Sequence, residues 1–410
     1  MESDVLKFIE TRRDEIISNL KELIKAKTEN PPGDVTQGIE VIARILDEYH
    51  VDYRIVEPVK GKQNLIAVIG DESEKTLILN GHVDVVPAGE KWTYDPFGGK
   101  IEGNKIFGRG ASDMKSGVIS LLYAFLAHKE KAPGRVILSI VADEETGGKH
   151  GSRYLIENKI IVGDACIIAE PSGDLKTGKY KIVAGEKGVL WAKIICRGRA
   201  SHGSLPMLGK NAIRELSKTI TTLPEVFPTP VRIPEDAKDL IMNGKEWLNN
   251  VHPGAGDALD HYTLNIGIIR GGKKVNIVPD YCEIEIDMRI PIGTNSSDAE
   301  NQLRTFLGTE HRIEIIDKIE PSYTSSSHPL TQAIRNVAEM FLGYAPPCVA
   351  MPATSDARLF RKAGIPTINF GPGFLEKAHT ENEFVYITDV INFAKIYASF
   401  ILHYFRERNS

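Results

Sequence analysis

The stretch Leu77–Asp84, LILNGHVD, decides how the rest of the chain is read. In an extended strand side chains alternate faces, so His82 and Asp84, two apart, point the same way at the end of an apolar segment that belongs inside a sheet. Burying a carboxylate is costly unless it is paired or bound to a cation, so this couple asks for a partner. The next apolar run, VILSIVADEE, closes on a second acidic pair, Glu144 and Glu145. A metal ion is the expected partner.

Outward from this core, strands and helices alternate. An N-terminal amphipathic helix is followed by the break ENPPGD, a second helix through IEVIARILDEYH, and the β runs DYRIVEP and NLIAVIG. After LILNGH comes a long glycine-rich loop ending at Gly110-Ala111-Ser112-Asp113, a length that in compact domains usually means function or disorder. A helix over MKSGVISLLYAFLAHKE, the strand RVILSIVAD, a helix over GSRYLIENK and the strand ACIIAE, ending at Glu170, follow. This rhythm predicts a mostly parallel sheet with helices on both faces. Near residue 180 it changes. From Gly188 the order is β-α-β-β-α-β, interrupted by the proline-rich excursion FPTPVRIPEDAKD, which predicts an α+β ferredoxin-like module. The expected domains are therefore 1–182 with 321–410, and an inserted 183–320. Beyond Pro321 the alternation resumes to the final helix, DVINFAKIYASFILHYF.

Composition narrows the chemistry. The chain has 410 residues, 42% hydrophobic and 26% charged, with net charge −5. No lysine or arginine block tracks a nucleic-acid backbone or an anionic membrane, and no window resembles a membrane span, so a small substrate is expected. The charged N-terminus lacks a signal-peptide core. Cys166, Cys196, Cys282 and Cys348 form no C-x-x-C pair. They read as reduced thiols of a cytoplasmic protein.

The acidic and histidine residues at expected strand ends are His82, Asp84, Glu144, Glu145, Glu170 and, in the loop after TINFG, His379. Ligands of open α/β sheets bind outside the carboxyl ends of the strands, where these residues can converge, with Asp113 joining them. The set offers two histidines, two or three glutamates and one or two aspartates; nitrogen and carboxylate donors without thiolate suit zinc, manganese or cobalt, and even five exceed the need of one tetrahedral ion. A carboxylate shared between two ions would use them all. Singly, each residue has a plainer role: His82 a satisfied core histidine, Asp84 a turn cap, Glu144 and Glu145 a solvated pair, Asp113 a helix N-cap, Glu170 and His379 loop polar groups. Only the ensemble argues for a site.

The ordered motifs GHVDVVP, GRGASDMKSG, ADEETGG, AEPSG, RASHGS and GPG…AHTENE resemble the M20 metallopeptidases and amidohydrolases, most closely their acetylornithine deacetylase and succinyl-diaminopimelate desuccinylase branch. The resemblance covers almost the whole chain. It implies two zinc ions, for which cobalt or manganese can substitute: one held by His82 and Glu170, the other by Glu145 and His379, with Asp113 bridging. It further implies that Asp84 orients His82. Glu144 is then the general base that takes a proton from the attacking water and delivers it to the leaving amine. His202, in RASHGS, would reach a neighbouring subunit's site to stabilise the oxyanion, making 183–320 a lid and the interface of a homodimer. Arg289 would clasp the substrate's free carboxylate, with Asn276 from the partner lid and the backbone at Gly373 assisting. The implied activity is cleavage of the amide of a small N-acyl amino acid, as in amino-acid biosynthesis. The alternatives are a metallocarboxypeptidase or dipeptidase on the same site, or a non-catalytic binding protein that keeps the fold.

Overall fold

The computed structural model describes residues 2–71, 75–223 and 230–406. The chain forms two compact units, the first Met1–Ala184, Thr324–Cys348 and Ser355–Ser410, the second Gly185–Tyr323 and Val349–Thr354. The last of these segments falls within the region that the sequence assigns to the first domain.

The sheet of the first unit runs in the order Tyr53–Val56, Asn64–Ile69, Arg135–Val141, Thr76–His82, Ala165–Asp174, Thr367–Phe374. Thr76–His82 is parallel to both of its neighbours, and Ala165–Asp174 is parallel to Thr367–Phe374. The first two strands pair antiparallel at the edge. Every residue of Thr76–His82 is buried, so both sheet faces are covered, as its continuous apolar run requires. The helix Ser116–Leu126, buried along its whole length, packs against the C-terminal helix Ile387–Arg406, and Ser120 Oγ donates to the Val390 carbonyl. Both helices are apolar because both are interior.

Two local expectations are corrected. The glycine-rich loop carries a hairpin, Lys100–Glu102 with Lys105–Phe107, which Phe384–Tyr386 extends to a third strand. Packing of Phe107, Phe374 and Phe384 stabilises it. Asp113 does not cap the following helix: that helix begins at Ser116, preceded by Lys115 with no side-chain cap. Asp113 lies instead in a widened turn, Ala111–Lys115, with extended backbone.

In the second unit four antiparallel strands lie in the order Thr263–Gly271, Tyr281–Ile290, Gly188–Arg197, His311–Ile319, the ferredoxin-like pairing. Alternation sends Cys282, Ile284, Ile286, Met288 and Ile290 toward the helices Ala212–Thr222 and Ser296–Leu307, where they join Leu216, Ala299 and Leu303 in one core. Asn211 and Asn295 start these helices by accepting the amides of Arg214 (3.1 Å) and Asp298 (2.8 Å). Of the proline-rich excursion, residues 227–229 lie outside the described ones; the helix Lys238–Val251 begins at its end. Buried Lys187 anchors the chain after that helix, donating to the Ala258 and His261 carbonyls at 2.5 and 2.7 Å.

Candidate active site

Parallel strands deliver their C-terminal residues to one edge of the sheet, and that edge is where the polar residues gather. His82 ends the central strand, Glu170 extends from the next, and Glu144 and Glu145 sit in a short turn after Arg135–Val141. Asp113 enters from the glycine-rich loop and His379 from the loop after Thr367–Phe374.

Asp113 divides its carboxylate between the two histidines: Oδ1 lies 3.3 Å from His82 Nε2 and Oδ2 lies 3.2 Å from His379 Nε2. His82 Nε2 is also 3.5 Å from Glu170 Oε1, and His379 Nε2 is 3.1 Å from Glu145 Oε2. Ligand atoms of His82, Glu144 and Glu170, and again of His82, Asp113 and Glu145, each fall within 4.8 Å of one another. Seven residues named from the sequence, Asp84 included, thus meet in the first unit.

The cluster's charges are unbalanced. Burial, followed by the neighbouring charge of Glu170, pushes the Glu144 carboxyl well above the usual range. Burial and then Asp113 raise Glu145 as well, and burial pushes Glu170 up to about 8. Asp113 goes the other way: burial opposes its ionisation, but the His379 and His82 contacts outweigh it. The same contacts, with Asp113 and then Glu145, raise His379 to about 10. Burial alone would lower His82, yet Asp113, Asp84 and Glu170 carry it well above its ordinary value. Such a set of carboxylates asks for positive charge.

His82 shows what kind. Its Nδ1 donates to the main-chain carbonyl of Asp84 at 2.9 Å, so that in the neutral ring Nε2 offers its lone pair on the side of Asp113 and Glu170. Nε2 is buried without a hydrogen bond. Two carboxylates facing Nε2 call for positive charge there, a proton on the ring or a bound cation, and imidazole with carboxylate is the donor set of zinc, manganese or cobalt. The residues present therefore fit the metal that the sequence motifs imply.

Asp84 touches His82 and the turn that follows the neighbouring strand. Its carboxylate is 3.5 Å from His82 Nδ1, farther than its own carbonyl, while Oδ1 accepts the Glu144 amide and Oδ2 the Glu145 amide, each at 3.2 Å. Oδ2 also accepts from Asn30 Nδ2 at 2.8 Å. Asn30 reaches on to Thr146 Oγ1 (3.1 Å), and Lys62 pairs with Asp143 (3.0 Å) below the same turn.

The remaining expected residues behave individually. Gly373 has φ +93°, and a Cβ there would come 2.5 Å from Ser112 Oγ, so a side chain would displace the Asp113 turn. His202, Asn276 and Arg289 belong to the second unit. His202 and Asn276 lie together: Gly203 N donates to the Asn276 carbonyl at 2.9 Å, and the exposed His202 ring is held by Ser204 Oγ at 2.7 Å. Arg289 is engaged by Asp287, with Nε to Oδ1 at 2.9 Å and Nη2 to Oδ2 at 3.0 Å.

With this geometry in view, comparison with known proteins is decisive. The model of peptidase family M20/M25/M40 matches residues 78–403. The chain belongs to that family. A Vibrio parahaemolyticus acetylornithine deacetylase is 30% identical over 348 residues, 82% of each chain. A Wolinella succinogenes succinyl-diaminopimelate desuccinylase is 29% identical over 298 residues, covering 72% of this chain and 75% of its own. Among solved structures, the M20 family metallo-carboxypeptidase Sso-CP2 from Sulfolobus solfataricus superposes with a TM-score of 0.79 at 24% identity, covering 95% of this chain and 99% of its own. Like other members of this metal-dependent family, the protein is a hydrolase acting on carbon–nitrogen bonds. Among the described residues, no helix is long and apolar enough to cross a membrane.

Sequence reasoning missed Asn30 and Glu383, which hold the turns rather than join the cluster. Asn30 was visible only as the residue before two prolines, and Glu383 only as the last letter of AHTENE.

Proposed function

We propose that the protein is a two-metal amidohydrolase that removes the acyl group from a small N-acyl amino acid, of the acetylornithine deacetylase or succinyl-diaminopimelate desuccinylase type. One observation carries this reading: the two oxygens of Asp113 reach histidines from opposite parts of the chain, as a bridging carboxylate must. His82 and Glu170 would hold one ion, and Glu145 and His379 the other, with zinc the first candidate and cobalt or manganese substitutes. When bound, the ions supply Lewis-acid polarisation of the amide carbonyl and neutralise the acidic cluster.

The chain's own residues do the rest. Glu144 has no hydrogen-bonded histidine, and its buried carboxylate has a raised proton affinity, which suits a base. It accepts the proton of the attacking water and returns it to the departing amine. Asp84 holds the Glu144–Glu145 turn by its amides and His82 through its carbonyl. Arg289, its planar fork held in place by Asp287, binds the free carboxylate of the substrate.

His202 and Asn276 are expected to serve a second copy, His202 stabilising the oxyanion. Their shared surface adjoins the edge strand Thr263–Gly271, where Ile268 and Ile269 are exposed. An exposed apolar edge of this kind favours pairing between copies of the second unit, making it lid and dimer interface. Four buried, free cysteines support a reducing, cytoplasmic setting.

A panel of N-acetyl and N-succinyl amino acids and dipeptides, each with zinc, cobalt or manganese, tests this reading. Turnover of one N-acyl class at two bound ions per chain is expected. Turnover confined to dipeptides would replace it with the carboxypeptidase or dipeptidase reading, and no turnover of any would remove it.

A further inference from the structure

Asp113 and His379 stand on loops, where backbone has conformational freedom to lose before it can present a ligand. A single side chain ties both loops down. Glu383 is fully buried, and each of its carboxylate oxygens takes two donors. Oε1 accepts the amides of Ser112 (2.7 Å) and Asp113 (2.9 Å), and Oε2 accepts the Gly110 amide (3.1 Å) and Arg109 Nη1 (2.6 Å). Arg109 carries the tie further: Nη1 also donates to the Thr380 carbonyl (3.2 Å), next to His379, and Nη2 to those of Pro87 (3.3 Å) and Ala88 (3.2 Å). Beyond Glu383 the chain pairs directly with the hairpin, Phe384 opposite Phe107.

We infer that Glu383 is a positioning residue for the metal site, locking the Asp113 turn to the His379 loop so that both side chains face one ion. This rests on the metal-site reading above. A glutamate is needed because the ionised carboxylate only accepts, and all four groups around it donate. Glutamine has the same shape but a single acceptor oxygen; whichever way it turns, its NH2 faces two donors. Residues that orient ligands in this way typically alter metal affinity by about 10–100-fold when changed.

The test uses the full chain stripped of metal by chelation and titrated with Co2+, following the visible absorption bands and measuring Kd by competition with a chelating dye. Glu383→Gln is expected to bind Co2+ about 10–100-fold more weakly than the wild type. Its bands should shift, because the ligand geometry around the ion has changed. A folded Glu383→Gln with the wild-type Kd and spectrum overturns the inference. Should the variant fail to fold, amide hydrogen exchange of the wild type decides. The Ser112 and Asp113 amides are expected to exchange as slowly as those of Thr76–His82, and exchange at the rate of an open loop overturns it. A wild-type chain that binds no Co2+ would sink the metal reading itself, a result distinct from either of these.

Discussion

Replacing Asp84 by asparagine separates two roles that one carboxylate can play. The side chain accepts three donors, Glu144 N, Glu145 N and Asn30 Nδ2, the last two on the same oxygen. Asparagine keeps that pair if its oxygen takes the Oδ2 position, and its NH2 then confronts the Glu144 amide. A hydrogen bond to a charged group contributes about 1.5–3 kcal/mol, and a stranded N–H costs about 1–3 kcal/mol more. At 3.2 Å the lost bond is long, so the lower half of both ranges applies. The sum, about 3 kcal/mol, acts on the placement of Glu144 and corresponds to about a hundredfold fall in kcat. His82 keeps its 2.9 Å main-chain partner and loses only the longer, 3.5 Å approach of the carboxylate, so metal binding should change less than kcat. The assay is kcat of Asp84→Asn across a metal titration. The expected result is a loss that persists at saturating metal, with metal affinity little changed. Full recovery of kcat with excess metal would refute the amide clamp and return Asp84 to the service of His82.

Glu144→Gln should retain its metal by elemental analysis and lose about 10²–10⁴-fold in kcat, the usual worth of a general base; normal turnover in the loaded variant would end that assignment. His202→Ala should leave metal content and oligomer mass as they are while slowing kcat by about 10²–10³-fold, as the loss of an oxyanion donor does. Unaltered rates would remove it from the mechanism. Lys187→Met strands the partly buried carbonyls of Ala258 and His261, so the second unit should lose about 1–3 kcal/mol. Denaturant unfolding followed by Trp191 and Trp247 fluorescence reads this directly, and an unshifted midpoint would show that the excursion is held by other contacts.

What was legible in the sequence has a common physical origin. His82, Glu144, Glu145 and Glu170 each follow or end a run of apolar residues, and a parallel sheet converts that one-dimensional pattern into a shared edge. The ferredoxin-like order from Gly188 was legible for the same reason, because alternation in Tyr281–Ile290 fixes which face is core. The hairpin at 100–107 was hidden because each strand has only three residues and owes its stability to Phe384, far along the chain. No local pattern records such a partner.

The roles of Asp84 and Glu383 were hidden for a different reason: the groups they bind are backbone amides. Every residue but proline carries an N–H, so nothing in the letters at 110–113 or 144–145 marks those amides as donors awaiting a carboxylate. The demand comes from the turns themselves. A helix or strand satisfies its amides internally, whereas the widened turn at Asp113 and the short turn at Glu144 leave adjacent amides pointing together, and a buried carboxylate suits that arrangement. Both turns carry acidic side chains toward the cluster while a second acid holds them from behind. Asp84 is therefore a counterpart of Glu383 as well as a neighbour of His82. Its position two residues after His82 puts it on the right face of the strand end, and from there its carboxylate also reaches the turn sixty residues later.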